Sequence, residues 1–515
     1  MQEKTTRFPV RARLTEEHFP CERSVTFQSI SGHEREISNE YRFCMVLLAE
    51  TLTSSPAVSP AVLDGLPLSR GRRKGESRWI DDWDAENLAQ WENGGKEIAQ
   101  RNLIFSILSE HIGFCVWSLW SVFVLFLGKD YGLSPADKFL LTSTPAAVGA
   151  GLRLPYTLAV ARFGGRNWTI ISAILLLIPT TYIAIILKPG VSLNTMLIGA
   201  ALAGVGGGNF SSSMANIDSF YPMRLKGWAL GLNAGGGNIG VAATQLVGLA
   251  VLTFAGRNHP RMMLAVYMPL IVISAVCAAL YMDNLSNVRN EKGALREVAK
   301  LRHTWTIAVL YIGTFGSFIG FSFAFGQVLQ VQFADIFDTP LKAAYVTFLG
   351  PLLGSLMRPL GGTLADRHGG ARVTSYAFIA MMVGGAIIVT ASVTHTFWLF
   401  VAGFVTLFVL TGIGNGSVYK MIPTIFRTEA QAAVAAGGNS AELDRTAKRR
   451  SRALIGLTGS IGSFGGVLVN LSLRQSFLST GSGTWAYATC IAYYALCLAV
   501  TQRVYLRPSS TTVGV

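Results

Sequence analysis

Charged residues are scarce in this sequence. Only 14% of its 515 residues are Asp, Glu, Lys or Arg, while 50% are hydrophobic. With a mean hydropathy of +0.41, so little charge over so long a chain excludes an ordinary soluble globular protein. Cysteine is scarce too: Cys21, Cys44, Cys115, Cys277, Cys490 and Cys497 are scattered, without the spacing of a disulfide framework or a metal site. No glycine-rich phosphate loop, metal constellation or nucleophile motif is present. These absences argue against an enzyme and leave no cofactor or metal to expect.

Long apolar runs are present instead. From about residue 102 onward, stretches of about 20 or more apolar residues recur, each long enough to cross a ~30 Å hydrocarbon core as a helix. Roughly twelve such runs can be marked between 102–127 and 484–504, which predicts an all-α membrane protein with twelve transmembrane helices. The expected organisation has a disordered leader at 1–76 and an amphipathic cytoplasmic lead-in at 77–101. A six-helix half at 102–282, a basic cytoplasmic linker at 283–303, a second six-helix half at 304–504 and a cytoplasmic tail at 505–515 follow. The lead-in, with Trp79, Trp83 and Trp91 among acids, reads either as a segment lying on the membrane surface or as a solvated linker.

Basic residues set the orientation. If the first span starts inside, the cytoplasmic loops carry Arg162/Arg166, Arg224/Lys226, Arg289 through Arg302, Arg367/Arg372 and Arg427 through Arg452, about 17 in all against about 7 outside. Both termini are therefore expected in the cytoplasm, in the inner membrane. The net charge of +14 is then a matter of topology and implies no nucleic acid partner.

The two halves resemble one another. "LRLPYTLAVARFGGR" from Leu152 and "MRPLGGTLADRHGGAR" from Met357 align Arg153 with Arg358, Arg162 with Arg367, and Gly164/Gly165 with Gly369/Gly370. "GNFS" at Gly208 and "GNGS" at Gly414 keep nearly the same offset. Two six-helix halves in the same orientation are the parallel-repeat plan of major-facilitator transporters, whose substrate site lies near the midplane between halves.

Arg153 and Arg358 each fall about fifteen residues into a span, at one depth by symmetry. An ionised residue there costs at least ~2.5 kcal/mol on insertion and marks a functional site by default. Their shared partner is expected to be an anion, because a guanidinium stays charged and meets a planar oxyanion through paired hydrogen bonds. In "GLNAGGGNIGVAATQ", Gly231/Gly235 and Gly236/Gly240 form smooth stripes that allow close, sliding helix contacts, with Asn238 left as a polar donor beside the cavity. "GIGNGS" repeats that composition, with Asn415 and Ser417 as donors.

"FGGRNW", "GNFSSSMANIDSFYP", "GLNAGGGNIGVAATQ", "TFGSFIGFSF", "MRPLGGTLADRHGG" and "GIGNGSVYKMIPTIFR" together resemble the motifs of the bacterial nitrate/nitrite porter family, and the likeness runs from Trp79 nearly to the end. The resemblance implies that Arg153 and Arg358 clamp nitrate or nitrite, that Tyr311 hydrogen-bonds it, and that Phe210 and Phe315 sandwich its plane. Asn238, Gly414 and Ser417 would complete the wall. A monomer in the lipid bilayer is the usual expectation for this architecture. Ala234 departs from the family's glycine, and Glu110-His111 stands where many relatives have apolar residues.

Glu110 and His111 are the one mid-span titratable pair found, at the depth of Arg153. Either they couple a proton to transport, or Glu110 is a counterion for Arg153 or turns toward headgroups. Because two guanidiniums repel in an empty low-dielectric site, a bound anion should ease the change of state, which favours nitrate/nitrite exchange over proton symport. A nitrate sensor is the rival from another class.

Overall fold

In the computed structural model, residues 78–288 and 293–507 are described. The expected leader, Cys21 and Cys44, Arg289 and the end of the tail lie outside the described residues.

Helices account for nearly all of the described chain. The first half comprises α1 (Lys96–Phe126), α2 (Pro135–Phe163), α3 (Gly165–Leu175), α4 (Leu177–Ile186), α5 (Leu193–Ala203), α6 (Asn209–Phe220), α7 (Met223–Phe254) and α8 (Met262–Tyr281). A short α9 (Ala294–Ala299) precedes α10 (Arg302–Tyr311), α11 (Ser317–Gln332), α12 (Pro340–Thr347), α13 (Leu349–His368), α14 (Gly370–Val393), α15 (Phe397–Ala435), α16 (Ser440–Thr480) and α17 (Thr484–Thr501). The pairs α3–α4, α5–α6, α10–α11 and α12–α13 are single passes interrupted by a short break. Each of the twelve expected spans is thus helical.

Nine helices among the described residues are long and apolar enough to cross a membrane, by length and composition. The three expected spans outside that set are α2, α5–α6 and α12–α13. Two of these carry the buried arginines, and the third is split by the glycine 3-10 segment Gly204–Gly208.

Local chemistry explains the ends of α2. At its start, Ser134 accepts from the Asp137 backbone N–H while the Asp137 carboxylate accepts from the Ser134 backbone, with Pro135 at the first helical position. At its end Gly164 adopts φ 86° and ψ 148°. Its repeat mate Gly369 ends α13 at φ 87° and ψ 133°, a conformation that side chains rarely allow. The sequence repeat is therefore a repeat of backbone conformation as well.

Two sequence expectations are corrected. The region expected as a loop from Arg427 to Arg452 is mostly helix, because α15 and α16 run on into it and leave only residues 436–439 between them. Its Ala, Glu, Arg and Lys content favours helix without being apolar, and Asn439 caps α16 by accepting from the Ala441 and Glu442 N–H groups. The lead-in is not a free solvated linker. Its strand β1 (Trp79–Ile80) pairs in parallel with β2 (Asn284–Leu285). Trp83 and Trp91 are buried in a cluster with Leu103, Ile217, Phe220 and Tyr221.

The halves meet along helix pairs. α2 packs along α16, and α7 along α13. Three bonds stitch the first pair: Thr142 Oγ1 donates to Asn470 Oδ1 at 2.9 Å, Ser460 Oγ to the Ala150 carbonyl at 2.7 Å, and Arg153 Nη1 to the Gly459 carbonyl at 3.0 Å. Within the second half, glycines bring α13 and α15 backbone to backbone. A Cβ on Gly412 would sit 2.1 Å from the Gly354 carbonyl oxygen, and one on Gly416 would sit 2.1 Å from that of Arg358.

Gly416→Ala should therefore destabilise the protein by about 1–3 kcal/mol through overpacking and lower its thermal unfolding midpoint in detergent. Gly362→Ala, on α13 with nothing within 4 Å of the added carbon, should leave the midpoint unchanged or raise it. Equal effects at both positions would contradict this packing.

Candidate functional site

Arg153 is fully buried and Arg358 is 3% exposed. They come from opposite halves and converge on one pair of rings. The Arg153 Cζ lies 4.5 Å from the Phe210 centroid and 4.9 Å from that of Phe315; the Arg358 Cζ lies 5.5 Å and 5.8 Å from the same two.

Each guanidinium has one fixed partner. Arg153 Nη1 donates to the Gly459 carbonyl at 3.0 Å, and Arg358 Nη2 donates to the Tyr311 hydroxyl at 3.0 Å. Arg153 Nε and Nη2 and Arg358 Nη1 are buried with no partner among the described residues. Among the described residues no carboxylate forms an ion pair with either arginine. Buried donors on charged groups are costly when unmatched. Three of them, contributed by both halves, lie beside one ring pair.

The aromatic frame is built by breaks in helical regularity. Between α10 and α11 the chain makes a π turn, Ile312–Gly316, a distortion common at functional sites. Its glycines admit close neighbours: a Cβ on Gly316 would sit 2.5 Å from the Cα of Gly465 on α16. The turn stacks Tyr311 on Phe315, with centroids 5.0 Å apart and planes 2° apart. Phe210 follows the 3-10 segment Gly204–Gly208 and faces Phe315 at 6.1 Å and 29°.

The remaining expected wall residues divide. Asn238 is buried with its Oδ1 unpartnered. It lies one turn from Gly235, whose Cβ position is 3.8 Å from the Ser355 carbonyl, on the side of α7 that meets α13. Gly414 instead backs the π turn, since a Cβ there would meet Thr314 Cγ2 at 2.6 Å. Ser417 turns to α14: its Oγ lies 2.8 Å from Thr374 Oγ1 and donates to the Gly414 carbonyl at 3.1 Å. Asn415 and Ser417 had both been expected as donors to one cavity, but two residues correspond to about 200° around a helix. Asn415, with its Oδ1 unpartnered, has the free polar atom.

Glu110 and His111 diverge for the same reason. His111 Nδ1 lies 3.0 Å from the Gly236 carbonyl on α7. Glu110 is fully buried, with Oε2 accepting from Asn233 Nδ2 at 2.7 Å. It makes no ion pair with Arg153, so the counterion expectation is not met by contact.

Sequence reasoning missed three contributors. Tyr419 lies under Arg358, 5.1 Å from its Cζ, and 5.0 Å from the Tyr311 ring. Gly459 offers the carbonyl that holds Arg153, and Gly462 makes room for Tyr311, whose Cδ1 would be 2.3 Å from an added Cβ. The glycines of "GLTGSIGSFGG" on α16, about three residues apart, were the available signal.

A two-half helical bundle closed around a charged, ring-lined centre defines a membrane carrier of the major-facilitator kind. The Major Facilitator Superfamily model matches residues 111–468. The crystal structure of the nucleoside transporter NupG shares the fold, with a TM-score of 0.54 at 12% identity over 78% of this chain and 99% of that one. At the level of sequence, the nitrate/nitrite transporter NarU of Escherichia coli (strain K12) is 36% identical over 83% of this chain and 96% of its own length. The protein named "Probable nitrate/nitrite antiporter NarK2" of Thermus thermophilus is 30% identical over 82% and 95%. The chain belongs to the nitrate/nitrite porter family of the major facilitator superfamily; it is a membrane transporter and not an enzyme.

A buried charge kept for ligand binding weakens the ligand-free fold. Arg153→Met should therefore raise the thermal unfolding midpoint of the anion-free protein. The substitution orphans no acceptor, because the Gly459 carbonyl also accepts from Ser463 Oγ at 2.7 Å. A marked drop in the midpoint would make Arg153 a structural residue.

Proposed function

We propose that this protein carries nitrate and nitrite across the cytoplasmic membrane by alternating access, binding one anion at a time between Arg153 and Arg358. The observation that carries this reading is the set of three unmatched guanidinium donors, from two halves, around one ring pair. Two rigid forks suit a flat oxyanion with several acceptor oxygens. Phe210 and Phe315 favour planarity. At 6.1 Å they are closer than the ~7 Å that carbon contacts on both faces of a flat guest need, so they part by about 1 Å to admit one. The names of the relatives agree with this substrate class.

The excess of basic residues in alternate loops supports placing both termini in the cytoplasm, and the two-half fold is complete in one chain, which supports a working monomer. Glycine-lined contacts permit the halves to slide. Two guanidiniums of like charge in a closed cavity disfavour movement of the empty carrier, which supports exchange of nitrate for nitrite.

Counterflow of labelled nitrate against internal nitrite in proteoliposomes tests this directly. Wild-type protein should support it. Arg358→Lys should lower it by about 10- to 100-fold, the worth of a charge-assisted hydrogen bond of about 1.5–3 kcal/mol. An unimpaired lysine variant contradicts the paired-fork site, and folded wild-type protein that binds nitrate without flux supports the sensor.

A further inference from the structure

Glu110 belongs to a polar region that the anion site does not use. Asn233, which donates to Glu110 Oε2, is held by Ser213, and Ser213 Oγ lies 3.0 Å from Ser106 Oγ. The other carboxyl oxygen, Oε1, is buried without a partner. Glu110 also lines a small cavity with Ser106, Ser109, Thr169, Ser172 and Asn209, which has room for about one water. A Cβ on Gly237 of α7 would sit 2.0 Å from Oε1, so only glycine leaves space for the carboxyl there.

The charged and titratable groups acting on Glu110 through space are Arg358 from α13, Arg153 from α2, Tyr311 from α10, Tyr419 from α15 and, on its own helix, His111. None forms an ion pair with it. Burial disfavours the charged carboxylate, and the field of the two arginines offsets part of that cost. An anion bound to those arginines cancels much of that field and adds repulsion of its own, so it favours the protonated form. Coupling of this kind is reciprocal, so a proton on Glu110 strengthens anion binding by the same factor.

We propose that Glu110 is a proton site coupled to the anion site, taking one proton from solution onto the carboxylate when the anion binds and returning it when the anion leaves. This rests on the anion reading above. Empty and ionised, the centre holds one net positive charge; loaded and protonated, it again holds one. Proton and anion taken up together thus leave the net charge of the centre unchanged. The empty protonated form holds two positive charges and is trapped, so a carrier that keeps its proton only exchanges anions. A metal cation fits poorly, because hard cations seek about six oxygens and Ser106 and Ser213 are already engaged.

Nitrate added to purified protein in weakly buffered detergent, with a pH indicator, reads the coupling. Wild-type protein should take up close to one proton per nitrate near the midpoint of the transition, and its nitrate affinity should tighten by up to about tenfold per unit fall in pH. E110Q should bind nitrate with no proton uptake and a flat pH dependence, and replacing sodium by choline should change nothing. Nitrate binding by wild-type protein with no proton uptake between about pH 5 and 9 overturns the proposal, whether or not E110Q folds. Uptake that persists in E110Q, or that requires sodium, also overturns it. Absence of nitrate binding at every pH overturns the anion site and the proton site together.

Discussion

Two like charges buried against the same two rings are the constraint around which this molecule is built. Arg153 and Arg358 are kept in place by weak, directional contacts: a carbonyl, a phenol and the faces of Phe210, Phe315 and Tyr419. Cation–π contacts of about 0.5–2 kcal/mol each offset part of the burial cost without neutralising the charge. Among the described residues, no carboxylate in ion-pair contact balances the two charges, which is the condition that the proposed anion site requires.

The glycine-rich segments follow from that constraint. Tyr311 and Phe315 reach the arginines because Gly316 and Gly465 let two backbones touch and Gly462 leaves space for the phenol ring. Phe210 reaches them after a run of glycines that interrupts its α-helix with a 3-10 segment. Away from the centre, the halves are tied by contacts suited to repeated breaking. At one end Asp218 on α6 meets Arg452 on α16 and Lys226 on α7. The Arg452 side chain is half exposed, so that pair contributes modestly. Toward the other end of the bundle, Gln327 Nε2 donates to the Pro135 carbonyl.

Much of this was legible in the sequence because it is written in residue type and spacing. Apolar run length located the helices, and the offset between Arg153 and Arg358 located the centre. The Gly164 and Gly369 turns proved equivalent in backbone angles. The helical continuation beyond Arg427 was not legible, since a helix leaving the apolar layer no longer carries an apolar signal. The burial of Trp83 and Trp91 was hidden too, because it depends on packing against Phe220 and Tyr221, far away in the sequence. Ser417 misled for another reason: composition placed it with Asn415, whereas helical rotation separates them. The carbonyl of Gly459 leaves no trace in side-chain chemistry.

If the two arginines form one receptor, the number of anions bound is the most direct measure of it. Equilibrium binding of labelled nitrate to purified protein should give one nitrate per chain, displaced competitively by nitrite. Two independent nitrates per chain, one for each guanidinium, or nitrite binding without displacing nitrate, would contradict a shared site.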